Sequence, residues 1–203
     1  MRLFWQGWWP AHSVVVVEVN GYEIGPKARL TKADLAGTDL AGVDLERAVL
    51  VQAELSEASL PGVNLRQSDV RWANLSRADV SGANLQRAHL TGANLSGADC
   101  HESDFTEASL HGADLRNSNF QQSNLTGAYL VQTNFTGASL RGARLVDACL
   151  WQANLEETDL SEADLTGASL WRANLRGAIA TEGTVWPGSF DPAAAGVVQG
   201  SDD

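Results

Sequence analysis

Residues 33–45 read ADLAGTDLAGVDL, with a leucine at every fifth position: Leu35, Leu40, Leu45. That period fits neither common element. On an α-helix, five residues turn through about 500°, so successive leucines point roughly 140° apart and spread round every side. On a β-strand an odd period sends alternate leucines to opposite faces. Neither geometry buries them together.

The pattern extends far beyond this stretch. Steps of five from Leu30 reach Leu175 with no insertion or deletion, giving 30 centres of which 24 are Leu. The others are Val70, Val80, Cys100, Phe105, Phe120 and Phe135. Two residues before each centre the side chain is small, usually Ala and otherwise Ser, Thr or Val. Two residues after it, Gly recurs 12 times, and the position just before it is mostly Asp, Asn or Ser. Self-similarity of this kind is the mark of a repeat architecture. The period makes sense if five residues form one short side of a coil, with the centre and the small residue inward and Gly and Asx at the corner. Four sides then close a coil of about 20 residues, and coils stack at the strand spacing of about 4.8 Å.

Unbroken A(D/N)LxG-type units over residues 28–180 resemble the pentapeptide-repeat family. The resemblance implies an all-β fold: a right-handed quadrilateral parallel β-helix of about seven to eight coils, roughly 36 Å long at that spacing. The WPGSFDP segment at 186–192 resembles the stretch that follows the repeats in many cyanobacterial members.

Both ends of such a solenoid need closing, since open edges invite polymerisation. Residues 1–27 are expected to form an N-terminal cap. SVVVVEV (13–19) reads as a strand, Asn20-Gly21 as a hairpin turn and YEI as its return strand. Phe4, Trp5, Trp8 and Trp9 are expected to pack beside it. Residues 181–203 are expected to form a C-terminal lid ending in a disordered tail.

A net charge of −11 and a pI near 4.7 argue against direct binding to nucleic acid or anionic membrane, and favour a partner with a basic surface. The longest wholly apolar run, Val14–Val17, is far shorter than the roughly 20 residues of a membrane span. The first ten residues lack the apolar core and cleavage site of a signal peptide. A soluble, cytoplasmic protein is the expectation. Cys100 and Cys149 match no metal-ligand spacing or disulfide framework.

In a 20-residue coil, positions 20 apart stack in columns. The face with centres 30, 50, 70 and onward to 170 collects Trp72, Tyr129, Trp151 and Trp171, every solenoid aromatic that is not a centre. His89, His111 and Val131 join them. This face carries Arg29, Lys32, Arg71 and Arg172 against Asp69, a net +3. The opposite face carries Asp39, Asp79, Asp99, Glu102, Asp159 and Glu162 against Arg141, a net −5. The other two faces come to −3 and −2. An aromatic stripe outside a β-helix has no core to fill, so these seven aromatic-face residues are the candidate partner-binding site. The partner is either another protein or a second copy forming a homodimer, with the Trp151/Trp171 pair as its hot spot. The competing readings are that the protein's own N- or C-terminal segment covers the stripe, or that these are scattered surface aromatics.

No catalytic residue, metal site or cofactor is expected. Paired carboxylates follow from the corner preference for Asx, and His89 with His111 lack a third ligand. His101 and Cys100 point to opposite sides of the wall. The expected function is a non-catalytic interaction module. The resemblance implies an alternative, because some pentapeptide-repeat proteins mimic DNA and bind gyrase, a role the acidic face would serve.

Overall fold

The computed structural model describes residues 16–200. The cluster expected of Phe4, Trp5, Trp8 and Trp9, the start of the first predicted strand and the last three residues lie outside the described residues.

Two short strands open the described chain. β1 (Val17–Val19) pairs antiparallel with β2 (Tyr22–Ile24), Val17 opposite Ile24. Asn20 and Gly21 between them have φ of 50° and 80°, the double positive value that a type I′ turn requires. Val17 and Ile24 are buried against the first coil, and Asn20 Nδ2 donates to the Asp34 carbonyl at 3.3 Å.

From Arg29 onward each residue before a centre bridges in parallel to the residue 20 further on: Arg29 to Val49, Asp34 to Glu54, and so on to Asp159 and Ile179. Four pentapeptides therefore close one coil, and the chain is a right-handed quadrilateral β-helix. The unit around Val70 shows how each backbone donor is used. Ser68 N–H donates to Leu65 across the preceding corner (3.1 Å), and Asp69 N–H donates back to Ala48 (2.9 Å). Val70 and Trp72 N–H donate forward to His89 (2.7 Å) and Thr91 (3.1 Å). Only the N–H just after the centre, that of Arg71, is left without a backbone acceptor, and the Asp69 carboxylate takes it at 3.4 Å. Asp and Asn dominate the position before the centre because their side chain reaches the N–H two residues on.

The corner is a turn closed by a hydrogen bond from the small residue to the preceding centre, with positive φ at its third position, as in a type II turn. Pro61 suits the second position. Gly fills the third position in 12 of the 30 units, yet the other 18 hold Lys, Arg, Gln, Glu, Asp, Asn or Trp in the same left-handed conformation, with φ between 56° and 60°. Cooperative stacking therefore holds non-glycine residues in a region they otherwise avoid.

Inside, the centres and small residues form one continuous core, and Phe105, Phe120 and Phe135 stack at 5.2 and 5.8 Å between ring centroids. The small residue two before each Phe is a hydroxyl one: Ser103, Ser118 and Thr133. Each is buried and donates to a carbonyl, Ser103 to Val80 and Thr133 to Leu130 at 2.7 Å. Burial without loss of hydrogen bonding is the condition for such residues in a core.

The regular register ends after Ile179. Asp164 bridges Val185, 21 residues on, and Thr184 Oγ1 inside the extra residue's loop donates to the Leu160 carbonyl at 2.9 Å. β3 (Ile179–Ala180) then pairs in parallel with β4 (Val198–Gln199). Between these, Trp186 and Phe190 stack at 5.2 Å and pack against the core. The segment after the repeats thus folds onto the last coil, adding two further strand contacts as far as Gly200.

Candidate interaction face

The bridges Arg29–Val49–Asp69–His89–Ser109–Tyr129–Cys149–Ser169 place the aromatic column on one wall, in the register of four units per coil. Trp72, Tyr129, Trp151 and Trp171 are 54%, 61%, 48% and 55% exposed, so this wall carries four half-open rings. Trp151 and Trp171 lie one coil apart and meet edge to face, centroids 5.9 Å apart at 63°. The Trp151 indole N–H donates to Ser169 Oγ, which fixes that ring. Trp171 instead carries the Arg172 guanidinium 4.3 Å from its centroid, and Arg71 lies 5.4 Å from that of Trp72. Both are within cation–π range.

Arg71 also grips Asp69 through two hydrogen bonds of 2.8 and 2.7 Å, and holds that carboxyl below its usual range. Arg29, Lys32 and Arg172 have no carboxylate partner among the described residues. His89, His111 and Val131 are surface residues of the same wall. Among the described residues no group of three or more His, Cys, Asp or Glu is placed to hold a metal ion.

The opposite wall stacks Asp39, Ser59, Asp79, Asp99, Asn119, Ser139 and Asp159. Its carboxylates are partly engaged. Asp39, Asp79, Asp99 and Asp159 accept the N–H of Ala41, Ser81, His101 and Ser161. Asp99 also takes Asn119 Nδ2 and His101 Nδ1, each at 2.9 Å, and Glu162 pairs with Arg141. That hydrogen bond to Asp99 raises the His101 imidazole above its ordinary value.

The repeat units match the family model for pentapeptide repeats in eight copies, over residues 28–67, 73–112, 83–122, 113–152 and 143–179. The chain is a pentapeptide-repeat protein. Among solved structures, this pentapeptide-repeat protein is similar to the plasmid-mediated fluoroquinolone resistance protein QnrB1 at 17% identity, with 85% of this chain and 87% of that one covered and a TM-score of 0.75. That likeness is one of fold. It is also similar to HetL, involved in heterocyst differentiation regulation in the cyanobacterium Nostoc sp. strain PCC 7120, at 30% identity over 85% of each chain with a TM-score of 0.35. A pentapeptide-repeat protein from the Arabidopsis thaliana thylakoid lumen shares 32% identity over 49% of this chain and 69% of its own, with a TM-score of 0.48. Among curated proteins none matches the sequence.

Membership of the family explains the walls' shared backbone and leaves their differences to be explained. On the other three walls, 19 of the 22 residues that follow a centre have their N–H accepted by the Asp, Asn or Glu two before. Pro61, which follows Ser59, has no N–H to satisfy. On the aromatic wall only Arg71 of eight such residues is capped. Thr31, Val51, Thr91, His111, Val131, Trp151 and Trp171 have no N–H acceptor among the described residues. The residues before those centres are Arg29, Val49, His89, Ser109, Tyr129, Cys149 and Ser169, none of them Asx. Residue types alone locate the aromatic stripe; the uncapped row beneath it emerges only from the donor-by-donor accounting.

Proposed function

We propose that this protein is a non-catalytic, cytoplasmic interaction module that presents its aromatic wall to a protein partner. The observation that carries this reading is segregation. Four half-exposed aromatics share one wall, two of them stacked on each other and two under guanidinium groups, while the walls beside and opposite are polar. Large aromatics left in water on a rigid surface are the side chains from which interface hot spots are made. The same wall keeps only Asp69 of the Asx residues that cap turns elsewhere, so its sequence serves something other than the fold. Photo-crosslinking from a group placed at Gln132 in the native host tests this. The expected outcome is a discrete crosslinked protein that disappears in Trp151→Ser/Trp171→Ser. A partner captured equally well by that variant overturns the reading.

The DNA-mimicking alternative draws on the acidic wall, with Asp39, Asp79, Asp99 and Asp159 in one column. Against it, Ser59, Asn119 and Ser139 interrupt the column, and its carboxylates already serve turn N–H groups, His101 and Arg141. A gyrase supercoiling assay at micromolar protein separates the two readings, since inhibition or protection favours mimicry.

A further inference from the structure

The uncapped N–H row says what chemistry a partner on the aromatic wall must bring. In the free protein those seven donors have no acceptor among the described residues, so water must serve them. A partner that covers the wall strips that water, and each N–H left without an acceptor then costs about 1–3 kcal/mol. On the other three walls the acceptor is a carboxylate or amide oxygen supplied from within the chain at 19 of 22 positions, Pro61, Arg141 and Val146 being the exceptions. Here no described residue supplies it. Three cations that lack carboxylate partners among the described residues, Arg29, Lys32 and Arg172, flank the same row.

Resting on the reading of this wall as an interface, we propose that its occupant is an acidic amphipathic segment of another protein. Its carboxylates supply in trans the oxygens that Asp and Asn supply in cis on the other three walls, and its apolar side chains cover Trp151, Trp171 and Tyr129. The row repeats once per coil, at about 4.8 Å. Carboxylates three or four apart on a helix project about 5–6 Å from one another, against roughly 6.8 Å for alternate residues on a strand. A helix lying along the solenoid axis therefore fits the row better.

A second copy of this chain is a poorer occupant. Wall to wall, it would set +3 against +3, and the one carboxylate it brings, Asp69, is already held by Arg71. Wall to back, the charges match, but the acidic wall offers no aromatic or aliphatic groove for the tryptophans. Nucleic acid would supply anionic oxygens, yet the net charge of −11 repels a polyanion extending past the wall.

The test uses the full chain and three fluorescent probes. One is a helical 18-residue peptide with Glu three and four apart on one side and Leu beside them. The second is its Gln isostere, and the third a single-stranded RNA of 18 nucleotides. The expected result is binding of the Glu peptide at least about tenfold tighter than the isostere, weakening with salt, with amide exchange at Val131, Trp151 and Trp171 slowed on binding. The decisive variant is Val49→Asn/His89→Asn/Cys149→Asn, which installs the missing cap beneath Val51, Thr91 and Trp151 without adding charge. It should fold, melt no lower than the parent and bind the Glu peptide at least about tenfold more weakly. Arg172→Gln should weaken the Glu peptide and leave the isostere unchanged.

Equal binding of the two peptides, unchanged affinity in the triple Asn variant, preference for RNA, or a doubled mass of the protein alone each overturns the proposal. Failure of the interface reading looks different: Trp151→Ser/Trp171→Ser then leaves every affinity unchanged. If that variant loses both peptides while the triple Asn variant loses neither, the interface stands and the acidic partner falls.

Discussion

Trp72 rests on Gly92, the residue one coil further along the same corner. A Cβ built on Gly92 would come within 2.6 Å of Trp72 Cδ1 and 2.8 Å of Nε1. Gly112, the next residue in that column, has the same backbone conformation, with φ of 64° against 67°, and nothing within 4 Å of the corresponding point.

These two glycines separate backbone strain from ring displacement. Gly112→Ala forces an L residue into the left-handed region, at about 1–2 kcal/mol, which for a chain of this size lowers Tm by roughly 2–8 °C. Gly92→Ala carries the same strain and must also push the Trp72 ring off its seat. It should melt lower than Gly112→Ala, and in a Trp72→Ser background the two should become equal. A thermal scan of the four proteins checks this; equal melting of the two single variants would show that Trp72 does not rest on Gly92.

Phe120 touches both Phe105 and Phe135, so it is the middle of the only aromatic stack in the described core. Phe120→Ala leaves a cavity walled by two rigid neighbours and should cost about 3–5 kcal/mol. Phe120→Leu restores the commonest centre and should cost less than about 1.5 kcal/mol. Denaturant midpoints give both figures. Equal losses would mean that the coil collapses around either change.

The fold was legible in the sequence because one inward pair per five residues leaves a period that no helix or strand shares. Leu35, Leu40 and Leu45 sufficed to predict the coil, and the 20-residue bridges follow from it. The Asn20-Gly21 hairpin was equally plain. The aromatic wall was legible too, since a fixed register turns position into direction. Three things were hidden. Arg77, Glu102 and Trp72 in left-handed conformation are not turn formers, and only stacking with neighbouring coils holds them there. The extra residue between Asp164 and Val185 sits where the repeat has already faded. The uncapped N–H row is a pattern of absences, visible only once each donor's acceptor is known.

His101 makes the acidic wall sensitive to pH. Its Nδ1 lies 2.9 Å from Asp99 Oδ1, and that hydrogen bond outweighs the opposing effect of burial and, with the charges of Asp99, Glu102 and Asp79, raises the imidazole above 6.5. A group whose value is raised on folding stabilises the fold while protonated. Its contribution is full below the unfolded value of about 6.5 and is lost as pH rises through the folded one. Asp114, held down by its hydrogen bonds to Arg116, acts in the opposite sense and loses its contribution as pH falls below 3.8. His101→Gln should therefore lower Tm at about pH 5.5 and leave it unchanged at about pH 8.5. A difference that stays constant across that range would mean the side chain packs and does not titrate.

The two thiols should differ completely in reactivity. Cys100 is a centre with no exposed surface, and burial pushes its thiol well above 9.0, so it offers neither access nor thiolate. Cys149 stands on the aromatic wall between Tyr129 and Ser169, only partly covered. Iodoacetamide should modify Cys149 alone in the native protein and both thiols in denaturant, read by intact mass and then by peptide mapping. Cys149→Ser should abolish native labelling. If native labelling survives that change, the modified thiol is Cys100, and the coil that buries it must open in solution. An acidic peptide seated on the wall should slow labelling of Cys149 in proportion to its occupancy, which makes the thiol a second reporter of binding, independent of fluorescence.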